Sequence, residues 1–190
     1  MTAPEALYFT PDPEANQLLA ADPLALLLGM LLDQQVTMEA AFRAPLVLRE
    51  RLGGRLDAAS IAAMPPDDLD AVFRQRPALH RFPGSMAKRT HAVCQFLVEH
   101  YDGKAEKLWE DVASGPELLE RLRALPGFGA DKARIFVGVL GKRLGVQPSG
   151  WQEVAADWAS IADVDSFERI EEIREKKRAA KAAKKQASTT

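Results

Sequence analysis

The sequence predicts an all-α fold, and three observations carry that prediction. Apolar residues recur at threes and fours through most of the chain, Ser, Thr, Asp and Pro precede these stretches, and Gly tends to follow them. No alternating apolar–polar run of useful length occurs, and no repeat of fixed period stands out.

The elements follow in order. Asp22-Pro23 pairs an N-cap with a proline in the first turn, and Leu24 to Leu32 continues as a helix too apolar for a surface, the predicted central core helix. Thr37 caps the next, whose Ala40, Ala41, Leu46 and Leu48 lead to a stop at Gly53-Gly54. A short helix through Ala58 to Met64 precedes Pro65-Pro66, which open another with Asp67 and Asp68 in the favourable first turn; Pro77 closes it. Ser85 is placed to cap a helix bearing Ala87, Ala92, Val93, Phe96, Leu97 and Tyr101, ending near Gly103. Ser114 with Glu117 reads as a capping box that launches Leu118, Leu119 and Leu122. After a glycine hairpin, Ile135, Phe136, Val139 and Leu140 form the stripe of a helix stopping at Gly141. Ser149 with Gln152, and Asp165 with Glu168, read as two further capping boxes; the second opens a helix with Phe167, Ile170 and Ile173 on one side.

This organisation gives an N-terminal arm over 1–20, a helical domain over 21–173 and a basic tail over 174–190, with Lys184 to Thr190 expected to be mobile. At 190 residues, one sizeable core or two small lobes fit, and a monomer is expected. Apolar residues make up 47% and the longest apolar run is too short to cross a bilayer, so no membrane partner is expected. The first sixteen residues hold acids and prolines instead of a basic and then an apolar region, which makes the cytoplasm the expected location. Cys94 is the single cysteine, which excludes an intrachain disulfide and a four-cysteine iron–sulfur cluster, and its apolar surroundings read as a buried thiol. The net charge of -2 hides an asymmetry, because seven basic residues between Arg174 and Lys185 face only Glu175. A basic tail on an acidic body reads either as a phosphate-seeking arm or as a solubilising end.

The stretch Leu125-Pro126-Gly127-Phe128-Gly129 is where chemistry concentrates. Two glycines allow a sharp turn and close approach to another surface, and Leu125 and Phe128 pin the turn between helices. The N–H groups at the start of the following helix, near Ala130 and Asp131, have no intrahelical acceptor and suit a DNA phosphate, though an ordinary helix–helix turn has the same composition.

This hairpin resembles that of the helix-hairpin-helix superfamily of base-excision DNA glycosylases (HhH-GPD), which includes endonuclease III, the adenine-specific mismatch glycosylases and the alkylpurine glycosylases. Leu31-Leu32-Asp33-Gln34-Gln35-Val36-Thr37, followed by Ala40 and Ala41, resembles the glutamine-pair segment of the alkylpurine branch. Arg81 to Leu97, with Lys88 and Arg89, is similar to the helix that precedes the hairpin there, so the resemblance covers roughly residues 20 to 160. It implies a two-lobed helical fold with damaged double-stranded DNA across a cleft and a base flipped into a pocket, because the glycosidic carbon is inaccessible in a stacked duplex. It places Gly127, Phe128, Gly129, Ala130, Asp131, Lys132, Gln34, Gln35, Lys88 and Arg89 against DNA, with Gln35 probing the gap left by the flipped base. It also implies K⁺ or Na⁺ on the backbone carbonyls of Arg123, Leu125 and Phe128, and no further cofactor. Nucleoid association is expected when the protein is bound to DNA.

Two departures bear on the chemistry. Bifunctional relatives carry a nucleophilic lysine at the second residue after the last hairpin glycine; here that residue is Asp131, and Lys132 points about 100° away around the helix. No lyase step is expected, and Lys132 reads as a solvent or phosphate contact. The family's essential aspartate would fall at Pro148-Ser149-Gly150, none of them acidic. Glu153 and Asp157, at i and i+4 and so able to share a helix face, and Asp33, from the opposite lobe, are the replacement candidates. Trp151 and Trp158 read as core anchors, with base stacking as the alternative. The first functional reading is a monofunctional glycosylase with a displaced acid, acting on electron-poor alkylated bases that leave easily. The second is a non-catalytic sensor of damaged DNA. The third is a helical protein–protein adaptor, which the acidic body favours slightly.

Overall fold

The computed structural model describes residues 4–173 together with 175, 176, 178 and 179. The expectations for Lys184 to Thr190, and for most of the basic tail, fall outside these. Among the described residues the regular structure is helical throughout, as the periodicity predicts. No single helix among them is long and apolar enough to cross a membrane.

The first helix, α1 (Pro13–Ala21), begins inside the segment read as an arm and ends one residue beyond it; Asp12 caps it by accepting the N–H groups of Glu14 and Ala15. Asp22 ends α1 and caps α2 (Pro23–Leu32), where every residue from Leu24 to Leu32 is buried. This is the predicted core helix, and α1, α3 (Met38–Arg51) and α6 (Pro83–Tyr101) pack around it. A side chain at Gly29 would fall 2.6 Å from the Phe42 ring, so the close approach of α2 to α3 requires glycine there. Thr37 caps α3 as predicted, and Gly53 and Gly54 follow its end at φ +84° and +95°.

The next helices, α4 (Ala58–Ala63) and α5 (Pro66–Arg74), pack on α6. The helix α6 starts at Pro83, two residues before Ser85, with Phe82 at the cap and no side-chain cap bond, so the proline and not the serine sets the boundary. Cys94 on α6 is fully buried, and burial pushes its thiol up to about 12.

A short 3-10 turn at Ala105–Leu108 leads to α7 (Gly115–Arg123), the hairpin and α8 (Ala130–Arg143). Ser114 accepts the Glu117 N–H as expected, while the Glu117 carboxylate accepts from Ala113 N–H, one residue earlier than a capping box requires. Beyond α8 the expected capping boxes are absent. The single-turn helix α9 (Trp151–Val154) follows Gly150 at φ +75°, and Asp165 pairs with Arg169 while helical backbone resumes at 169–173. The capping box that does form is Ser160 with Asp163, on the 3-10 turn Ile161–Asp163 that packs against α8. Trp151 is the core anchor foreseen. Gly115 and Gly141 leave room for it, since a side chain on either would come within 2.5 Å of Trp151 atoms.

Candidate nucleic-acid interface

Ten mostly apolar residues make α2 the interior helix, and burying its C-terminal end leaves its last carbonyl groups in need of donors from elsewhere. Three other segments supply them. Lys132, in the first turn of α8, donates from its ammonium to the carbonyl oxygens of Met30 (2.5 Å), Leu31 (3.0 Å) and Asp33 (3.3 Å). Gln34 folds back so that its Nε2 donates to the Leu31 carbonyl at 2.8 Å. His80, from the loop before α6, takes the Leu32 carbonyl at 3.1 Å. Its Nδ1 accepts the Phe82 N–H at 3.0 Å, so the neutral ring carries its proton on Nε2, facing Leu32. Burial holds this imidazole below the usual histidine range.

Arg89 on α6 joins this cluster to the hairpin. Its Nη1 donates to Gln34 Oε1 at 2.6 Å, and its side chain passes Gly127. Gly127 has φ +82°, and a side chain there would meet Leu31 at 3.0 Å and Arg89 at 3.6 Å, so the turn needs glycine for both shape and space. Leu125 and Phe128 are buried beneath it, as predicted, and the Phe128 ring lies 5.7 Å from the Lys132 ammonium. Gly129, Ala130 and Asp131 are exposed. The amides of Ala130, Asp131 and Lys132 open α8 without intrahelical acceptors, because the bond series starts with Ala133 N–H on the Gly129 carbonyl. Of the hairpin carbonyls named for a cation, that of Leu125 accepts the Phe128 N–H at 3.1 Å and keeps its second lone pair.

The predicted contacts therefore separate. Gln34 has both ends of its amide engaged inside the protein, so its role is to hold the loop. Gln35 is exposed, with its backbone in the left-handed region at φ 56°. Lys88 is exposed on α6 beside a groove of about 520 Å³ that Arg74, Arg81 and Phe82 also line. Arg81 and Phe82 open the segment Arg81 to Leu97 quoted above but were not among the contacts expected from the sequence. Phe82 is 40% exposed under the Arg81 guanidinium, in a loop tied to α2 through His80. Lys132 corrects the reading of a solvent or phosphate side chain: its ammonium is occupied by three carbonyls. Burial pushes Lys132 down to about 8, with Arg89 adding to the shift and Asp33 opposing it.

The three candidate acids also separate. Asp33 is half-buried at the end of α2, and its charge acts on the Lys132 ammonium. Asp157 is 82% exposed and pairs with Arg134 at 3.2 Å. Arg134 lies about 200° around α8 from Lys132, which puts Asp157 on another side of that helix. Glu153 is exposed on α9. Because Ala155 is extended and ends α9 at Val154, Glu153 and Asp157 share no helix face, contrary to the i, i+4 expectation. Ser149, at the position expected for the family aspartate, is exposed, and its carbonyl accepts the Gly115 N–H at 2.8 Å. Trp158 is 38% exposed, with the Arg134 guanidinium 4.8 Å from its ring centre. Among the described residues no three His, Cys, Asp or Glu side chains stand together as metal ligands.

A family model described as HhH-GPD superfamily base excision DNA repair protein matches residues 28–187. The matched span holds the end of α2, Gln35, Arg89 and the hairpin. No curated protein matches the chain.

Proposed function

The chain belongs to the HhH-GPD superfamily of base excision DNA repair proteins, and from that premise we propose that it is a monofunctional DNA glycosylase that releases a flipped, damaged base with Asp33 as its acid. The observation that carries the reading is the company Asp33 keeps. Of the three candidate acids it is the one beside Lys132, Gln35 and the Arg89–Gln34 pair, next to the hairpin.

The steps follow from the side chains. A DNA phosphate docks on the amides of Ala130, Asp131 and Lys132, with Gly129 permitting close approach of the backbone. The carbonyls of Arg123, Leu125 and Phe128 would hold a monovalent cation there, adding positive charge near that phosphate. Exposed Gln35 offers its amide to the base left unpaired, while the Phe82 ring offers an apolar face to an unstacked neighbour. Lys88 and Arg81 line the groove with cations for the strand. At the sugar, the Asp33 carboxylate stabilises the positive charge that develops as the glycosidic bond breaks. The base leaves with the bonding electrons, and water adds to the sugar carbon as its proton passes to Asp33. One carboxylate suffices best for an electron-poor base, which points to alkylated purines. Lys132 is not the nucleophile of a lyase step in this reading, because its nitrogen is directed to the carbonyl oxygens of Met30, Leu31 and Asp33.

A second reading, a non-catalytic sensor of damaged DNA, is favoured by Ser149, a hydroxyl where the family's carboxylate is expected. Single-turnover base release separates the two, using duplexes with methylated adenine, hypoxanthine, uracil, oxidised guanine or an A:G mismatch. The parent is run beside Asp33→Asn, Glu153→Gln and Asp157→Asn. Release lost in Asp33→Asn and kept in the other two supports the glycosylase. No release from any duplex, with lesion binding intact, leaves the sensor; release unaffected by Asp33→Asn refutes the assignment of the acid.

A further inference from the structure

Lys132 faces two ways. Its backbone N–H is one of the free amides that open α8 at the hairpin, and its side chain runs in the other direction to the end of α2. There the ammonium shares the Leu31 carbonyl oxygen with Gln34 Nε2, and Arg89 holds the other end of that Gln34 amide. The seat of the ammonium and the seat of the glutamine are thus one oxygen atom. Gln35 is the next residue, in a backbone conformation that non-glycine residues adopt when their surroundings enforce it.

We propose that Lys132 is a positioning residue that couples phosphate docking at the hairpin to the placement of Gln35 in the gap opposite a flipped base. The inference rests on the DNA-binding reading above and deepens it. A phosphate on the α8 amides fixes the first turn of that helix, the side chain of Lys132 transmits this to the carbonyls of Met30, Leu31 and Asp33, and the loop after them carries Gln35. Without the ammonium, these three carbonyls lose a shared donor in a buried setting and the loop must rearrange to find others. Lysine is specific to the role: three donors on one atom reach three convergent oxygens, whereas the planar arginine fork spreads its donors.

The test uses the full chain and two duplexes, one intact and one with a tetrahydrofuran abasic analogue. Lys132→Met keeps the length and apolar stem while removing every donor. In fluorescence anisotropy, Lys132→Met is expected to weaken binding to the abasic duplex about tenfold, and to leave the intact duplex within about twofold. In a Gln35→Ala background, Lys132→Met should add no further loss, since two residues acting through one contact are non-additive. In the free protein, amides 34–36 of Lys132→Met should exchange with solvent faster, while those of 136–140 in α8 keep the parent rate. Equal weakening on both duplexes, additivity with Gln35→Ala, or unchanged exchange at 34–36 would overturn the proposal. If the parent binds neither duplex, the DNA-binding reading fails, and the exchange at 34–36 alone decides whether Lys132 sets the loop.

Discussion

Replacing Gly129 with alanine adds one methyl group at the hairpin face proposed to meet DNA, and the structure sets what that group should do. Gly129 has φ -79° and ψ 172°, extended backbone open to any residue, and a side chain there meets nothing within 4 Å. As the N-cap of α8, alanine is poorer than glycine by up to about 1 kcal/mol, and the stiffer unfolded chain returns about 0.4–1 kcal/mol. The fold should therefore change by no more than about 1 kcal/mol in either direction, a shift in Tm of about 4 °C or less for a chain of this size. With a phosphate docked as proposed, the methyl group is expected to crowd its approach to the amides of Ala130 and Asp131. Losing one charge-assisted hydrogen bond costs about 2 kcal/mol, or roughly thirtyfold in Kd. Anisotropy against a salt series reads both the affinity and the slope, which should fall by about one phosphate. Parent-like affinity and slope in a folded Gly129→Ala variant would refute the docking of phosphate at this turn. Gly127→Ala is the contrast: φ +82° and the Leu31 contact make it destabilise the fold itself by about 1–2 kcal/mol.

Other expectations follow from the packing. Gly115→Ala places a methyl group 2.5 Å from the Trp151 Cα and 2.6 Å from the Gly150 carbonyl oxygen, backbone atoms that cannot swing aside. Chemical denaturation should show a loss of about 3 kcal/mol. Cys94, with its thiol pushed up to about 12, should react with a thiol reagent at pH 8 only at the rate of unfolding. Asp57 caps α4, with its carboxyl held below 3.8 chiefly by the Ser60 hydroxyl and then the Ser60 N–H. A lowered carboxyl stabilises the fold above the unfolded value and loses that effect as pH falls through the folded one. Asp57→Ala should thus cost about 1 kcal/mol at pH 7, and the difference from the parent should shrink below pH 3.8.

Much of the fold was legible because its signals are local. The Asp22-Pro23 start, the Thr37 cap and the Leu125 to Gly129 turn each act through neighbours within a few residues. The failures share a cause as well. Ser85 had a proline two residues ahead that could open the helix first, and Glu153 with Asp157 had the right spacing but an extended Ala155 between them. The heart of the candidate site was hidden because its bonds span the chain. Lys132 to the carbonyl of Met30 is 102 residues, Arg89 to Gln34 is 55 and His80 to the carbonyl of Leu32 is 48. No periodicity encodes a side chain that satisfies another helix's carbonyls. A wholly apolar helix such as α2 does signal that its buried end will need outside donors, and lysine, with three donors on one atom, is a residue type able to supply them.

The loop after α2 that carries Gln35 is expected to enter DNA opened at a damaged base. This entry is tested most directly by the fluorescence of a 2-aminopurine placed opposite a tetrahydrofuran site, titrated with the parent and with Gln35→Ala. The probe's emission should change on saturation by the parent, as the glutamine amide engages the unpaired base, and Gln35→Ala should bind without that change. An identical response from both proteins at saturation would contradict it.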